Sequence, residues 1–479
     1  MSATDFIAIL PLLIVAGASL CVMAAIAIRR SHFVCFLLTL VGLGASFASL
    51  WIAQAETPRL VTPLLIIDRF AIFYIGLITA ASFAVALLSY GYLDKCEEAQ
   101  REELYVLLLL ATLGSDVLVA STHFASFFLG LEILSVSLYG LTAYLPARRI
   151  SVEAGIKYLV LAASSAAFLL FGMALIYADA GTMSLAQLAG RPATPGNLSA
   201  PMWLAGAVLI VTGIGFKLGV VPFHLWTPDV YEGAPAPITA FIATVSKGSM
   251  FALLVRFFEA TGWRQTHELY VVFAIMAIAS MIAGNLLALL QSNVKRILAY
   301  SSIAHLGYLL VPFLAGGELA VPAITFYLVA YFVTTVGAFG VVAVLSDGVR
   351  EADRLEDYRG LFWRRPVLGA IFTMNILSLA GIPMTAGFLG KFYIVAAGAS
   401  ESIWALIIIL VVSSVIGVFY YLRIVVALFS DVPQATETVQ PPSFSLPLIG
   451  YSTLGLLMIL LIWFGVYPQP LLRLIIFPQ

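Results

Sequence analysis

Glu132, Lys157, Lys217, Lys247 and Lys391 each stand inside an otherwise apolar stretch of membrane-spanning length. A charge at the bilayer centre costs roughly 2.5–3.5 kcal/mol on insertion scales. Such residues normally face a protein interior or a wet cavity and mark an ion or proton path. Four of the five are lysines. Lysine, unlike arginine, can give up its proton when desolvated. Glu132 is the acid placed to pair with them. The combination points to a proton relay.

Position along the helix supports that chemistry. With a helix start near His123, Glu132 lies about 14 Å deep, close to mid-bilayer. Lys247 lies about 17 Å along its own span, too deep to snorkel. Arg256 sits nearer the outer end of the same span, where its head should reach the interface. Lys157 is closer to a cytoplasmic end, and Glu153 four residues earlier also allows an ordinary surface pair. His224 and His305 could bridge lysines, because histidine titrates near neutrality. Each is equally readable as a satisfied structural residue. Lys295, beside Arg296 at a helix start, reads as a topology signal or as a point of proton uptake. Asp116 lies within a span, and its sequence context assigns it no role.

These residues need elements that hold them at depth. The 479-residue chain is 62% hydrophobic and 10% charged, whereas soluble domains carry about 25% charged residues. Marking runs of about 20 apolar residues yields about fourteen spans and an all-α polytopic fold. The run from Phe6 to Ile28, with Asp5 before it and Arg29-Arg30 after it, reads as a first span rather than a cleaved signal. Loops after odd-numbered spans hold about thirteen Lys and Arg, against about five (Arg191 among them) on the other side. The basic side should be cytoplasmic, which points both termini outward. No basic tract suggests nucleic acid, the three cysteines make no metal pattern, and no nucleotide-binding motif follows a strand.

Two spans are interrupted. The seventh (201–226) holds Lys217, Gly219, Pro222 and His224; the twelfth (366–398) holds Gly381, Pro383 and Gly387, then Lys391. Proline removes a backbone donor and clashes with the preceding turn. Freed carbonyls at membrane depth require a protein- or water-lined interior. Broken helices at matching places in two halves indicate inverted repeats. The breaks are five spans apart, and an odd offset inverts the second unit. The expected organisation is an N-terminal three-helix segment (1–100), a first five-helix repeat (101–262), a second, inverted repeat (263–432) and a C-terminal helix (433–479).

The stretch Gly215–Phe241, GFKLGVVPFHLWTPDVYEGAPAPITAF, runs on through ATVSK to Lys247. It resembles the signature of subunit N of respiratory complex I, the proton-pumping NADH:quinone oxidoreductase (subunit 2 in mitochondria). The resemblance extends through LGLE at 129–132, VKRILAYSSIAHLGY at 294–308 and LSLAGIPMTAGFLGKFYI at 377–394. It implies that Glu132 is the fifth-helix glutamate, Lys217 its seventh-helix partner, Lys247 the central lysine and Lys391 the twelfth-helix residue. Lys157 resembles the sixth-helix lysine, and His224 the histidine after the break.

The resemblance also implies a translocase subunit of the bacterial inner membrane with no redox centre of its own. NADH, FMN, iron–sulfur clusters and a quinone would serve elsewhere in the complex. The partners would be other membrane-arm subunits and lipids. Two other readings share parts of this pattern: a subunit of a multi-subunit cation/proton antiporter or membrane-bound hydrogenase, and a stand-alone secondary transporter.

Overall fold

The computed structural model describes residues 2–96, 100–189, 200–347, 350–431 and 448–475. Among them, thirteen helices are long and apolar enough to cross a membrane. The first seven are Leu10–Ile28, His32–Glu56, Arg69–Leu93, Glu103–Ala120, Phe124–Thr142, Arg149–Ala180 and Pro201–Leu218. Then come Ala236–Thr261, His267–Leu289, Val294–Ala315, Ala320–Leu345, Trp404–Phe429 and Ile449–Val466. The expected twelfth span is present as two shorter apolar helices, Pro366–Ala380 and Ala386–Ser400. Counting it as one interrupted crossing gives the fourteen spans expected. Arg191 and the 432/433 boundary lie outside the described residues.

The chain is not wholly helical. A short antiparallel hairpin pairs Arg59–Thr62 with Leu65–Ile67 between the second and third spans. Its segment, Arg59–Ile67, is mostly apolar but far shorter than about 20 residues, so no run of spanning length could register it.

Burial is graded in a way that places the site. The apolar window of the eighth span is buried along its whole length, and the tenth and eleventh spans are nearly so. The sixth, thirteenth and fourteenth spans expose most of theirs, as lipid- or partner-facing helices do. Lys247 therefore rides on the helix most enclosed by protein. The fourth and fifth spans approach to backbone contact: a Cβ on Gly114 would lie 2.5 Å from the Leu134 amide nitrogen. Small residues permit such approach where lipid offers no hydrophobic drive. It fixes the height of Glu132 against the rest of the bundle.

Helix starts are set by local and distant caps. Asp68 accepts from the Ala71 amide at the head of the third span. The same carboxylate takes two bonds from Arg256, at 2.9 and 2.7 Å. Arg256, largely buried, thus reaches the capped end of a neighbouring span, where its guanidinium matches the carboxylate two-to-two.

Candidate proton pathway

The seventh span ends where its sequence forces it to end. After Leu218 the chain turns at Gly219, whose φ is 71°. That left-handed backbone favours glycine, which has no Cβ to clash. A second short helix, Trp226–Gly233, follows the turn. The twelfth crossing repeats the device. Its first half stops at Gly381, with φ of 85°, and its second half starts at Ala386. Pro222 and Pro383 both fall in the turns. Gly387 does not make the break. It packs the second half against the first, and its amide donates to Ser378 Oγ at 3.2 Å.

Each turn faces a lysine, the first from the eighth span and the second from the other half of its own crossing. A Cβ on Gly219 would lie 3.2 Å from Lys247 Nζ, and one on Gly381 would lie 3.1 Å from Lys391 Nζ. Lys391 Nζ donates to the Ala380 carbonyl at 2.9 Å and to Ser414 Oγ at 2.8 Å. That carbonyl ends a helix and has lost its helical partner. The lysine supplies a replacement, as a break at membrane depth demands. The eighth span has its own irregularity: Ile242–Ser246 form a π-helical turn immediately before Lys247. Such turns often occur at functional sites.

Polar side chains join these centres. Lys217 is buried and donates to Ser135 Oγ at 2.8 Å and Tyr158 Oη at 3.0 Å. Ser135 lies one turn beyond Glu132 on the fifth span. The ring of Tyr158 stacks on Trp226 at 4.9 Å between centroids. Lys247 Nζ sits 5.6 Å from the Trp226 ring centroid and 5.1 Å from that of Tyr231. It donates to Ser302 Oγ at 3.0 Å. His305, one turn on from Ser302, bonds Tyr421 Oη at 3.0 Å and Tyr327 Oη at 2.7 Å. A small cavity beside His305 is lined by Tyr331, Thr334 and Ser378, near the second break. The row ends at Lys391, which sits 5.4 Å from the Tyr308 ring centroid.

Four candidates stand apart from a simple lysine row. Glu132 and Lys217 form no ion pair among the described residues, and Glu132 Oε1 is buried with no partner. Ser135 takes the lysine instead. Lys157 points outward: its side chain is 44% exposed and pairs with Glu153 at 2.7 Å and Asp229 at 2.9 Å. Its neighbour Tyr158 points inward. His224 is half-buried in the first break, with Nδ1 unpartnered. Lys295 is wholly buried, with bonds to Glu351 and to the Glu232 and Ala234 carbonyls. Asp116 is fully buried, and neither carboxylate oxygen has a partner.

The contacts at Ser135, Tyr158, Trp226 and Ser302 were not singled out by residue type. Helical spacing could have found two of them. Ser135 is three residues after Glu132, and Ser302 three before His305, each on the same face. No cluster of three or more His, Cys, Asp or Glu able to hold a metal occurs among the described residues.

Fourteen crossings, two of them interrupted beside buried lysines, define an antiporter-like membrane subunit. The chain belongs to the NADH:quinone oxidoreductase/Mrp antiporter transmembrane family, whose pattern matches residues 121–417. It is 48% identical to NADH-quinone oxidoreductase subunit N of Ectopseudomonas mendocina, over 99% of this chain and 96% of the relative. It superposes on a chain of respiratory complex I from Thermus thermophilus with a TM-score of 0.83 at 32% identity, covering 98% of this chain and 100% of that one. A chain of the Mrp complex from Dietzia sp. gives a TM-score of 0.84 over 99% of this chain and 97% of that one. At 20% identity this shows a shared fold alone.

Proposed function

We propose that this chain serves as subunit N of a proton-translocating NADH:quinone oxidoreductase and moves protons along the row Glu132, Lys217, Lys247, Lys391. The near-full-length 48% relative favours this over the antiporter reading. Electron transfer from NADH through FMN and iron–sulfur clusters to quinone belongs to other subunits. This chain holds no redox centre, and its partners are those subunits and membrane lipid. It resides in the bacterial inner membrane. The basic loops orient it with both termini outward. The two breaks, each closed on a lysine, support two inverted units at 101–262 and 263–432, flanked by 1–100 and 433–479.

One observation carries the mechanism: the three central lysines contact hydroxyls and aromatic rings, and His305, bonded to Tyr421 and Tyr327, lies between the second and third. In the described arrangement Glu132 is withdrawn from Lys217 by one helical turn, with Ser135 between. A closer approach of the carboxylate would hold Lys217 cationic. Withdrawal lets its proton pass by way of Tyr158 and the first break to Lys247. Ser302 and His305 lead on to Lys391, from which release is outward. Moving one charge against 100 mV requires about 2.3 kcal/mol. Rearranging an ion pair in a partly dry site is of that order.

The test is Lys247→Ala in the assembled complex. Coupled proton pumping should fall to a small fraction of normal while NADH oxidation by an artificial acceptor persists. Normal pumping in that variant refutes the route.

A further inference from the structure

The eighth span begins without a cap of its own. Pro235 precedes it and offers no side-chain bond, and Pro237 has no amide to give. The Ala236 amide is therefore an orphan donor at a buried helix start. Glu351, 115 residues away, accepts from it at 2.9 Å through Oε1. Just before the start, the carbonyls of Glu232 and Ala234 accept from Lys295 Nζ at 2.9 and 2.6 Å. The third Lys295 bond is to Glu351 Oε2. An ammonium has three donors, and these three partners use them all.

Glu351 is held in turn. Tyr92 donates to Oε1 at 2.5 Å, and Arg148 Nη1 lies 3.5 Å from the same oxygen. The Glu351 loop is bound to the tenth span by Val294 N to Asp353 O at 2.6 Å and by Leu355 N to Ser292 O at 3.1 Å. The ends of the third, sixth, tenth and eleventh spans thus meet on one carboxylate.

We propose that Lys295 and Glu351 form a buried latch on the hinge Glu232–Ala236, and that this latch positions Lys247. The hinge carries Tyr231 on one side, whose ring faces Lys247 and whose hydroxyl meets Ser302 at 3.2 Å. On the other side it launches the helix that bears the π-turn and Lys247. Loosening it changes the height and rotation of both groups that touch the central ammonium. Lys295 is then a positioning residue rather than a point of proton uptake. The consequence for pumping rests on the relay reading; the latch itself does not.

The test uses the assembled complex and three substitutions: Lys295→Met, Glu351→Gln and Tyr92→Phe. Amide hydrogen exchange is followed across residues 230–247. The first two should raise exchange there by about tenfold, the size of one lost charge-assisted bond. Tyr92→Phe, which leaves the ion pair intact but removes one charge-assisted bond to Glu351, should raise it by about tenfold as well. The double variant Lys295→Met/Glu351→Gln should be no worse than either single one. Protons pumped per NADH should fall in step, with artificial-acceptor oxidation unchanged. Wild-type exchange in assembled Tyr92→Phe and Lys295→Met overturns the latch. Raised exchange with normal pumping, while Lys247→Ala still abolishes it, overturns the claim that the latch positions Lys247; normal pumping in both refutes the relay reading instead.

Discussion

Gly219→Ala is the sharpest probe of the geometry around the first break. Two effects add. An alanine in the left-handed conformation costs roughly 1–2 kcal/mol. Its Cβ would also lie 2.5 Å from Thr227 Oγ1 and 3.2 Å from Lys247 Nζ. Thr227 Oγ1 has no hydrogen-bond partner and can swing away. The ammonium has less freedom, because it is buried and held by a 3.0 Å bond to Ser302. Weakening a bond to a charged group costs about 1.5–3 kcal/mol. The sum of about 2.5–5 kcal/mol lowers the population of the arrangement with Lys247 on Ser302 at least about sixtyfold. The assay is NADH-driven proton uptake into inverted membrane vesicles, normalised to artificial-acceptor oxidation. Gly181→Ala is the control: Gly181 has φ of 68° but open space where a Cβ would go. It bears the same backbone strain without the lysine contact and should pump normally. Equal pumping by both variants at the wild-type level refutes the argument that the break and Lys247 act as one unit.

Three further outcomes follow from the same contacts. Tyr158→Phe removes one of two bonds to Lys217 Nζ, so vesicle pumping should drop about tenfold, and an unchanged rate would exclude Tyr158 from the route. Lys157→Ala breaks exposed ion pairs worth about 0–1 kcal/mol each; pumping should stay within about twofold of normal, and a loss matching Lys247→Ala would place Lys157 in the row after all. Just beyond the end of the third span, burial pushes the Lys95 amine down to about 8. Its unfolded value is about 10.4, so the native chain sheds the proton first. Lys95 thereby contributes a rise in thermal stability between about pH 8 and pH 10, and Lys95→Met should make that rise shallower.

The residue types and their spacing carried a great deal. An apolar run of 20 residues has few stable arrangements in lipid, because every backbone group must be satisfied within the segment. Fourteen crossings therefore followed from composition alone, as did the breaks at Gly219–Pro222 and Gly381–Pro383, where proline and glycine defeat the helix. The buried lysines were legible for the same reason: a charge so placed needs a protein partner.

What composition could not convey is direction around a helix and contact between helices. Adjacent residues on a helix point about 100° apart, so Lys157 faces outward while Tyr158 faces Lys217. Both lie in one apolar run, and only the packing of the sixth span against the second half of the seventh decides which turns in. The sequence placed Glu132 near mid-bilayer and Lys217 beside a break, and suggested that they pair. Packing at Gly114 and Leu134 set their separation and left Ser135 between them. Glu351 sits in a polar loop that no span pattern marks. It matters because distant chain ends converge on one uncapped helix start. Such convergence is a property of the tertiary fold, since it depends on distances through space that the order of residues does not encode locally.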